Sequence, residues 1–102
     1  MQRLTSTEGS EHHKGTIHLR LYVSGNAPNS VRAIANAKAI CAEHFGSRCD
    51  LEIVDLLVQP LRALADGVIV TPTLVKLLPP PVQRVIGNLS DTTQVLIALA
   101  GI

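Results

Sequence analysis

Two cysteines are the residues most able to provide nucleophilic, redox or metal-binding chemistry. Cys41 and Cys49 do not form the C-x-x-C pair of a dithiol oxidoreductase. With the nearby His44 they supply too few ligands for a zinc site. Each lies in an apolar stretch of a chain without a secretion signal, so we predict buried, reduced thiols in preference to a disulfide.

The carboxylates and hydroxyls do not suggest catalysis. Asp55, Asp66 and Asp91 stand singly at predicted element boundaries, where helix capping accounts for them. Ser30 follows a turn, where it or Asn29 is a candidate helix N-cap, and we expect that role for Ser30 before that of a nucleophile. The sequence contains no Gly-rich phosphate loop, H-E-x-x-H motif or nucleophile elbow. We therefore predict that the chain is not an enzyme and has no catalytic, cofactor or metal residues.

Composition narrows the remaining functions. The chain has 102 residues, which suits one domain, and it is 46% hydrophobic with a formal net charge of +1. Only 2% of the residues are aromatic, so stacking platforms for single-stranded nucleic acid are missing. The net charge of +1 also lacks the basic excess that is expected of a nucleic-acid binder. No apolar stretch is long enough to span a membrane and the N-terminus does not resemble a signal peptide, so we predict a cytoplasmic protein without nucleic-acid or membrane partners.

The first half of the chain predicts a β-α-β unit. Residues 1–15 are polar and aperiodic, so we predict a disordered tail that precedes a single domain over 16–102. Apolar residues alternate over 16–23, which is typical of a strand. A turn over 25–30 leads into an amphipathic helix that we expect to continue to about Phe45. Alternation resumes over 48–54, which predicts a second strand parallel to the first.

The second half predicts a helix, a hairpin and a final helix. Pro60 suits the first turn of a short helix that ends at Gly67. Two β-prone runs, 73–78 and 82–86, flank three consecutive prolines that cannot donate to a strand ladder. Residues 90–100 have helical spacing and propensity, with Ser90 as the expected N-cap.

The order β-α-β-α-β-β-α is that of a thioredoxin-like α/β fold. Thr71-Pro72 lies where that fold places a cis-proline before its third strand. Where a thioredoxin has its C-x-x-C, this chain has Ala27-Pro28-Asn29-Ser30. Because no thiolate is present at that position, the chain is predicted to have the fold without its dithiol chemistry.

A family resemblance rests on two groups of residues. The hairpin segment reads Val70-Thr71-Pro72-Thr73-Leu74, then Lys76, then Leu78-Pro79-Pro80-Pro81-Val82, then Arg84-Val85-Ile86-Gly87. The first strand and turn read Leu21-Tyr22-Val23-Ser24-Gly25-Asn26-Ala27-Pro28-Asn29-Ser30, and Val31-Arg32-Ala33 follow. With these motifs the chain resembles the KaiB family of circadian-clock proteins over residues 16–99.

The resemblance implies a regulator that binds a KaiC-type ATPase through basic and polar residues. The corresponding exposed bases here would be Arg32, Lys76 and Arg84. Gln83 stands where many relatives have a second basic residue, which weakens the expected attraction to an acidic surface. The alternative is a thioredoxin-like adaptor or sensor module for another partner, such as a KaiA-like protein, a sensor kinase or a stress-response protein. The resemblance implies no cofactor.

The resemblance also implies two folds for one sequence. Family members exchange between a thioredoxin-like monomer and a tetrameric ground state with the order β-α-β-β-α-α-β. We expect the fold to depend on Pro72, Pro79, Pro80, Pro81, Ala98 and Ala100. Classical members tend to have glycine and an acidic residue at the last two positions. Gly to Ala favours a helix by roughly 0.5 to 1 kcal/mol, so we predict that the thioredoxin-like monomer predominates.

Overall fold

The computed structural model describes residues 15–100, so the predicted tail lies outside the described residues except for Gly15. The elements are β1 (Ile17–Val23), α1 (Pro28–Ile40), β2 (Cys49–Asp55), α2 (Pro60–Asp66), β3 (Thr73–Leu78), β4 (Gln83–Ile86) and α3 (Thr92–Leu99). This order confirms the predicted β-α-β-α-β-β-α arrangement. No helix within residues 15–100 has the length and apolar character needed to cross a membrane.

The four strands form one mixed sheet in the order β2-β1-β3-β4. β2 runs parallel to β1, with Cys49 opposite Ile17 at one end and Asp55 opposite Val23 at the other. β3 is antiparallel to both β1 and β4. The three prolines lie in the connection between β3 and β4, as predicted, and the Thr71-Pro72 bond is cis. β1 is therefore central, while β2 and β4 are edge strands.

The two faces of the sheet are covered unequally. On one face, Leu19 and Leu21 of β1 pack with side chains of α1 and α3, including Ala37 and Leu99. This larger core is aliphatic, as the composition requires. The opposite face carries a smaller cluster of Tyr22, Val54, Ala63, Val68 and Val75. Since Ala63 is the residue that α2 contributes to it, α2 is attached to the sheet by little apolar contact.

Two helix starts differ from the prediction. α1 begins at Pro28, whose fixed φ and missing N–H suit the first helical position, and Ala27 precedes it without a side-chain cap. Ser30 is therefore inside the first turn, where its buried Oγ accepts a hydrogen bond from Ser24 N (3.0 Å). At α3 the N-cap is Asp91, whose Oδ1 accepts a hydrogen bond from Gln94 N (3.2 Å).

The connection from α1 to β2 also departs from the prediction. α1 ends at Ile40, and a π-helical turn (Cys41–Phe45) and a 3₁₀ turn (Gly46–Arg48) follow it. Cys41 and Cys49 form a disulfide, so the prediction of two reduced thiols is wrong for this structure. The two turns bring their Cα atoms to 5.6 Å, well within the range that a disulfide spans. Sequence spacing could not show this approach, because it depends on how the helix ends.

Candidate protein-docking site

Three loops converge at the carboxyl end of β1. Ser24 Oγ lies 2.7 Å from Thr71 Oγ1, which joins the turn after β1 to the loop before β3. Gly25 N donates a hydrogen bond to Asp55 Oδ1 (3.0 Å), which joins the same turn to the loop after β2. We call these three segments, residues 24–27, 55–59 and 69–72, the loop end of the sheet.

Gly25 allows the loop end to close. Its φ is +52°, a conformation that side-chain-bearing residues rarely adopt. A Cβ at this position would also lie 2.9 Å from Leu57 Cδ1. The missing side chain thus lets Leu57 lie against the turn while 75% of its surface stays exposed.

Large apolar side chains are exposed beside this end of the sheet. They belong to the segment that includes α2 and its two flanking loops. The exposed fractions are Leu57 75%, Val58 72%, Leu61 76%, Leu64 74% and Ile69 93%. We call these five residues the α2 apolar surface. Leu61 and Leu64 are three positions apart and so share one side of the short helix. Several large exposed apolar side chains within thirteen residues indicate an interaction surface.

The inward side of α2 is held by a polar network. The Tyr22 hydroxyl, which is fully buried, donates a hydrogen bond to Asp66 Oδ2 (2.6 Å) and lies 2.9 Å from the carbonyl oxygen of Arg62. Arg20 Nη1 donates to the same Asp66 oxygen (2.9 Å). Asp66 is thus bound to two residues of the central strand, which orients the outward side of α2 toward solvent.

A second part of the network joins β1, β2 and α2. Glu52 accepts hydrogen bonds from Arg20 Nε (2.9 Å) and from Arg62 Nη1 (2.6 Å) and Nη2 (3.0 Å). The two bonds from Arg62, and then the one from Arg20, lower the pKa of Glu52 from 4.5 to about 2. Burial by itself would raise the pKa of Asp66, but its hydrogen bonds from Tyr22 and Arg20 outweigh that effect and the pKa is lowered. Both carboxylates are therefore stabilised in the ionised form.

The three predicted contact bases occupy different environments. Arg84 is exposed, and its Nη2 donates to the carbonyl oxygen of Asp66 (2.5 Å), so it lies at the end of α2. Arg32 is exposed on α1, against the opposite face of the sheet, and donates to Asn29 Oδ1 (3.2 Å). The structure therefore brings one of the three beside the α2 apolar surface.

Lys76 is not exposed, and that expectation is wrong. It lies opposite Leu19 on β1, so its side chain is on the face covered by α1 and α3. Only 2% of its surface is accessible. Within residues 15–100 its side-chain amine has no hydrogen-bond or ion-pair partner. The Lys76 side chain is thus buried within the domain and cannot contact a partner in this arrangement.

The apolar residues of α2 were missed as site residues. The sequence predicts a short helix through Leu61 and Leu64, but it gives no sign that these leucines face solvent. In the structure the buried residue is Ala63, and the inward polar contacts come from Arg62 and Asp66. Because α2 contacts the sheet through the small Ala63 and through Arg62 and Asp66, its two leucines lie on the solvent-exposed side.

Comparisons with known proteins identify the family of this chain. The domain model described as "KaiB domain" matches residues 20–100. The circadian clock protein KaiB3 of Synechocystis sp. is 52% identical over 83 residues, which cover 81% of either chain. The circadian clock oscillator protein KaiB of Microcystis aeruginosa is 50% identical over 86 residues, which cover 84% of this chain and 83% of that one.

Solved structures show the same class of fold. The N-terminal domain of Synechococcus elongatus SasA superposes with a TM-score of 0.70 at 24% identity, covering 100% of this chain and 96% of that one. The thioredoxin Deadhead of Drosophila melanogaster superposes with a TM-score of 0.68 at 14% identity, covering 90% and 86%. The molecule is thus a thioredoxin-fold domain without a C-x-x-C motif. More specifically, the chain belongs to the KaiB family.

Proposed function

We propose that this chain is a non-enzymatic, cytoplasmic clock or timing regulator that binds a KaiC-type ATPase. Family membership and relatives named as circadian clock proteins support the regulatory role. The observation that carries the binding proposal is the α2 apolar surface beside the loop end of the sheet. The segment Ala27-Pro28-Asn29-Ser30, which stands where a thioredoxin has its C-x-x-C, has no thiol and begins at the same end of the sheet.

The charges around this surface suggest how a partner is oriented. Arg84 projects at the end of α2, and its contact there is with a backbone carbonyl oxygen, so its charge is not neutralised by that bond. The apolar side chains would supply most of the binding free energy, since burial contributes about 25 cal/mol per Å². Arg84 would add attraction to a carboxylate at the rim, where charge pairs contribute more to orientation than to affinity.

Leu61→Glu is expected to weaken binding to the ATPase at least about tenfold, which corresponds to about 1.4 kcal/mol, because it places a charge in the apolar contact. The far-UV circular dichroism should stay unchanged, since Leu61 is 76% exposed. Arg84→Glu should weaken binding less, by a factor of about three to ten. Affinity would be measured by titration with the KaiC-type ATPase of the same genome.

Leu78→Glu is the matched control. Leu78 is also an exposed apolar residue, at 51%, but it lies opposite His18 at the far end of the sheet. Its substitution should leave the affinity unchanged. If Leu61→Glu binds like the unmodified protein, or if Leu78→Glu is equally harmful, the partner does not bind at α2. In that case Arg32 and the turn before α1 are the next surface to test.

A second candidate function is an adaptor module for a sensor kinase or a KaiA-like protein. The similarity to the SasA N-terminal domain favours it, because that domain superposes over the whole of this chain. Co-purification with the kinases and KaiC-type ATPases of the same genome separates the two functions. Binding to a kinase alone would support the adaptor, and binding to the ATPase alone would support the clock regulator.

Fold switching is the proposed route between active and inactive forms, and α3 is where it can be tested. Ala98 lies within α3, and Ala100 is its C-cap with helical φ and ψ. Replacing Ala98 with glycine and Ala100 with aspartate should destabilise this helix by about 1 kcal/mol. We expect a larger species in size-exclusion chromatography, because the alternative tetrameric packing becomes relatively more favourable. A wild-type protein that already elutes as a tetramer would contradict the predicted monomer.

A further inference from the structure

The disulfide lies apart from the proposed docking site. Cys49 is the first residue of β2, opposite Ile17, while Asp55, the last residue of β2, belongs to the loop end of the sheet. At about 3.3 Å per residue, the length of the strand separates the two sites by about 20 Å. The pair is also outside the position of a thioredoxin C-x-x-C. Neither the proposed binding function nor the family match assigns it a role.

The two sulfur-bearing residues differ in access to solvent. Cys41 is 9% exposed and belongs to the larger core, whereas Cys49 is half-buried at the start of an edge strand. The connection between them is largely exposed; its exposed residues are Ala42, Glu43, His44, Gly46, Ser47 and Arg48. A reagent in solution can therefore approach the disulfide from this connection, and it meets the residue Cys49 first.

We propose that Cys41 and Cys49 form a reversible thiol–disulfide site at which an external thiol attacks Cys49 Sγ. The incoming thiolate bonds to Cys49 Sγ as the bond to Cys41 Sγ breaks, and the electron pair leaves on Cys41 Sγ, which takes a proton. The second thiolate of a dithiol reductant then displaces Cys49. The reductant ends as a disulfide, and both cysteines end reduced.

The helix geometry indicates what reduction changes. Gly46 N–H donates to the Cys41 carbonyl oxygen, a bond across five residues that defines the π-helical turn. The apolar spacing of Ala37, Cys41 and Phe45, by contrast, suits a continuous α-helix. The disulfide ties Cys41 to β2 and so restricts the α-helical alternative. Reduction removes that restriction, and it loosens residues 41–48 without altering α2.

Hydrogen exchange followed by mass spectrometry tests the structural consequence. In the full chain, adding dithiothreitol should accelerate amide exchange over 41–48 by about tenfold or more, while exchange over 60–66 changes less than about twofold. The variant with both Cys41→Ser and Cys49→Ser is the control, and its exchange should not respond to dithiothreitol. Equal exchange of 41–48 in the oxidised and reduced protein would overturn the proposed loosening.

Thiol reactivity tests the direction of attack. Cys41→Ser leaves the Cys49 thiol, and Cys49→Ser leaves the Cys41 thiol. Under native conditions the Cys49 thiol should react with Ellman's reagent about tenfold faster or more, because it is more accessible. Equal rates, or a faster Cys41, would overturn the proposed attack on Cys49.

If the single variants do not fold, the wild type incubated with reduced glutathione should carry the mixed disulfide on Cys49, read by peptide mass spectrometry. Protein that holds two free thiols after treatment with oxidised glutathione would overturn the site itself. None of these readouts depends on binding to the ATPase.

Discussion

Lys76→Met is expected to raise the free energy of unfolding by about 1 to 3 kcal/mol. Lys76 is 2% exposed, and its side-chain amine lacks a hydrogen-bond or ion-pair partner within residues 15–100. Burying a polar amine without a hydrogen-bond partner is unfavourable, whereas methionine keeps a long flexible chain without the polar group. Chemical denaturation of the two proteins, monitored by circular dichroism, would measure the difference. A single buried residue would then limit the stability of the thioredoxin-like arrangement.

Lys38→Met is the control for this prediction. Lys38 is exposed on α1, so its substitution should change the free energy of unfolding by less than about 0.5 kcal/mol. If Lys76→Met leaves stability unchanged or lowers it, the Lys76 amine has a hydrogen-bond partner in solution.

Burial also changes what the variant Lys76→Glu can report about partner binding. At this buried position we expect the charge reversal to alter the fold, so Lys76→Glu is not a clean probe of binding.

Asp66→Asn is expected to lower the free energy of unfolding by about 2 kcal/mol. The Asp66 carboxylate accepts bonds from Tyr22 and Arg20, and its loss leaves the Arg20 guanidinium without one of its two partners. Breaking a fully buried pair costs about 3 to 5 kcal/mol, and we expect less because these side chains are 18% and 23% exposed. Asp50→Asn is the control, since the Asp50 side chain is 70% exposed and should contribute little. Equal denaturation midpoints of Asp66→Asn and wild type would contradict the anchoring role.

The same network predicts a loss of stability in acid. The pKa of Glu52 is lowered from 4.5 to about 2 in the folded protein, and that of Asp66 is lowered as well. The contribution of the two carboxylates to the free energy of unfolding is therefore complete above about pH 4.5 and is lost as the pH falls toward 2. Glu52 is 45% exposed, so its own share should be on the order of 1 kcal/mol or less. In the double variant Glu52→Gln, Asp66→Asn, the free energy of unfolding should depend less on pH over this interval than in the wild type. A pH profile parallel to that of the wild type would contradict the assignment of the acid sensitivity to these two carboxylates.

Local patterns in the sequence are sufficient to predict the order of the helices and strands. Alternation over 16–23 gave a central strand, Gly67 ended α2 in the left-handed conformation, and the triple proline became a hairpin connection. Each of these features depends on backbone preferences of a few neighbouring residues. Such preferences act within a turn or a strand, and so they can be read without knowledge of the packing.

The candidate site depended on contacts between distant segments. Alternation placed Lys76 on the same face as Leu74, but only packing of α1 and α3 on that face makes the position buried. The exposure of Leu61 and Leu64 follows from the binding of Asp66 to Tyr22, 44 residues away in the sequence. The approach of Cys41 to Cys49 follows from the π-helical turn that replaces the expected end of α1. Burial and pairing of this kind depend on two surfaces in contact. A single stretch of sequence specifies only one of those two surfaces, so the contact cannot be predicted from it.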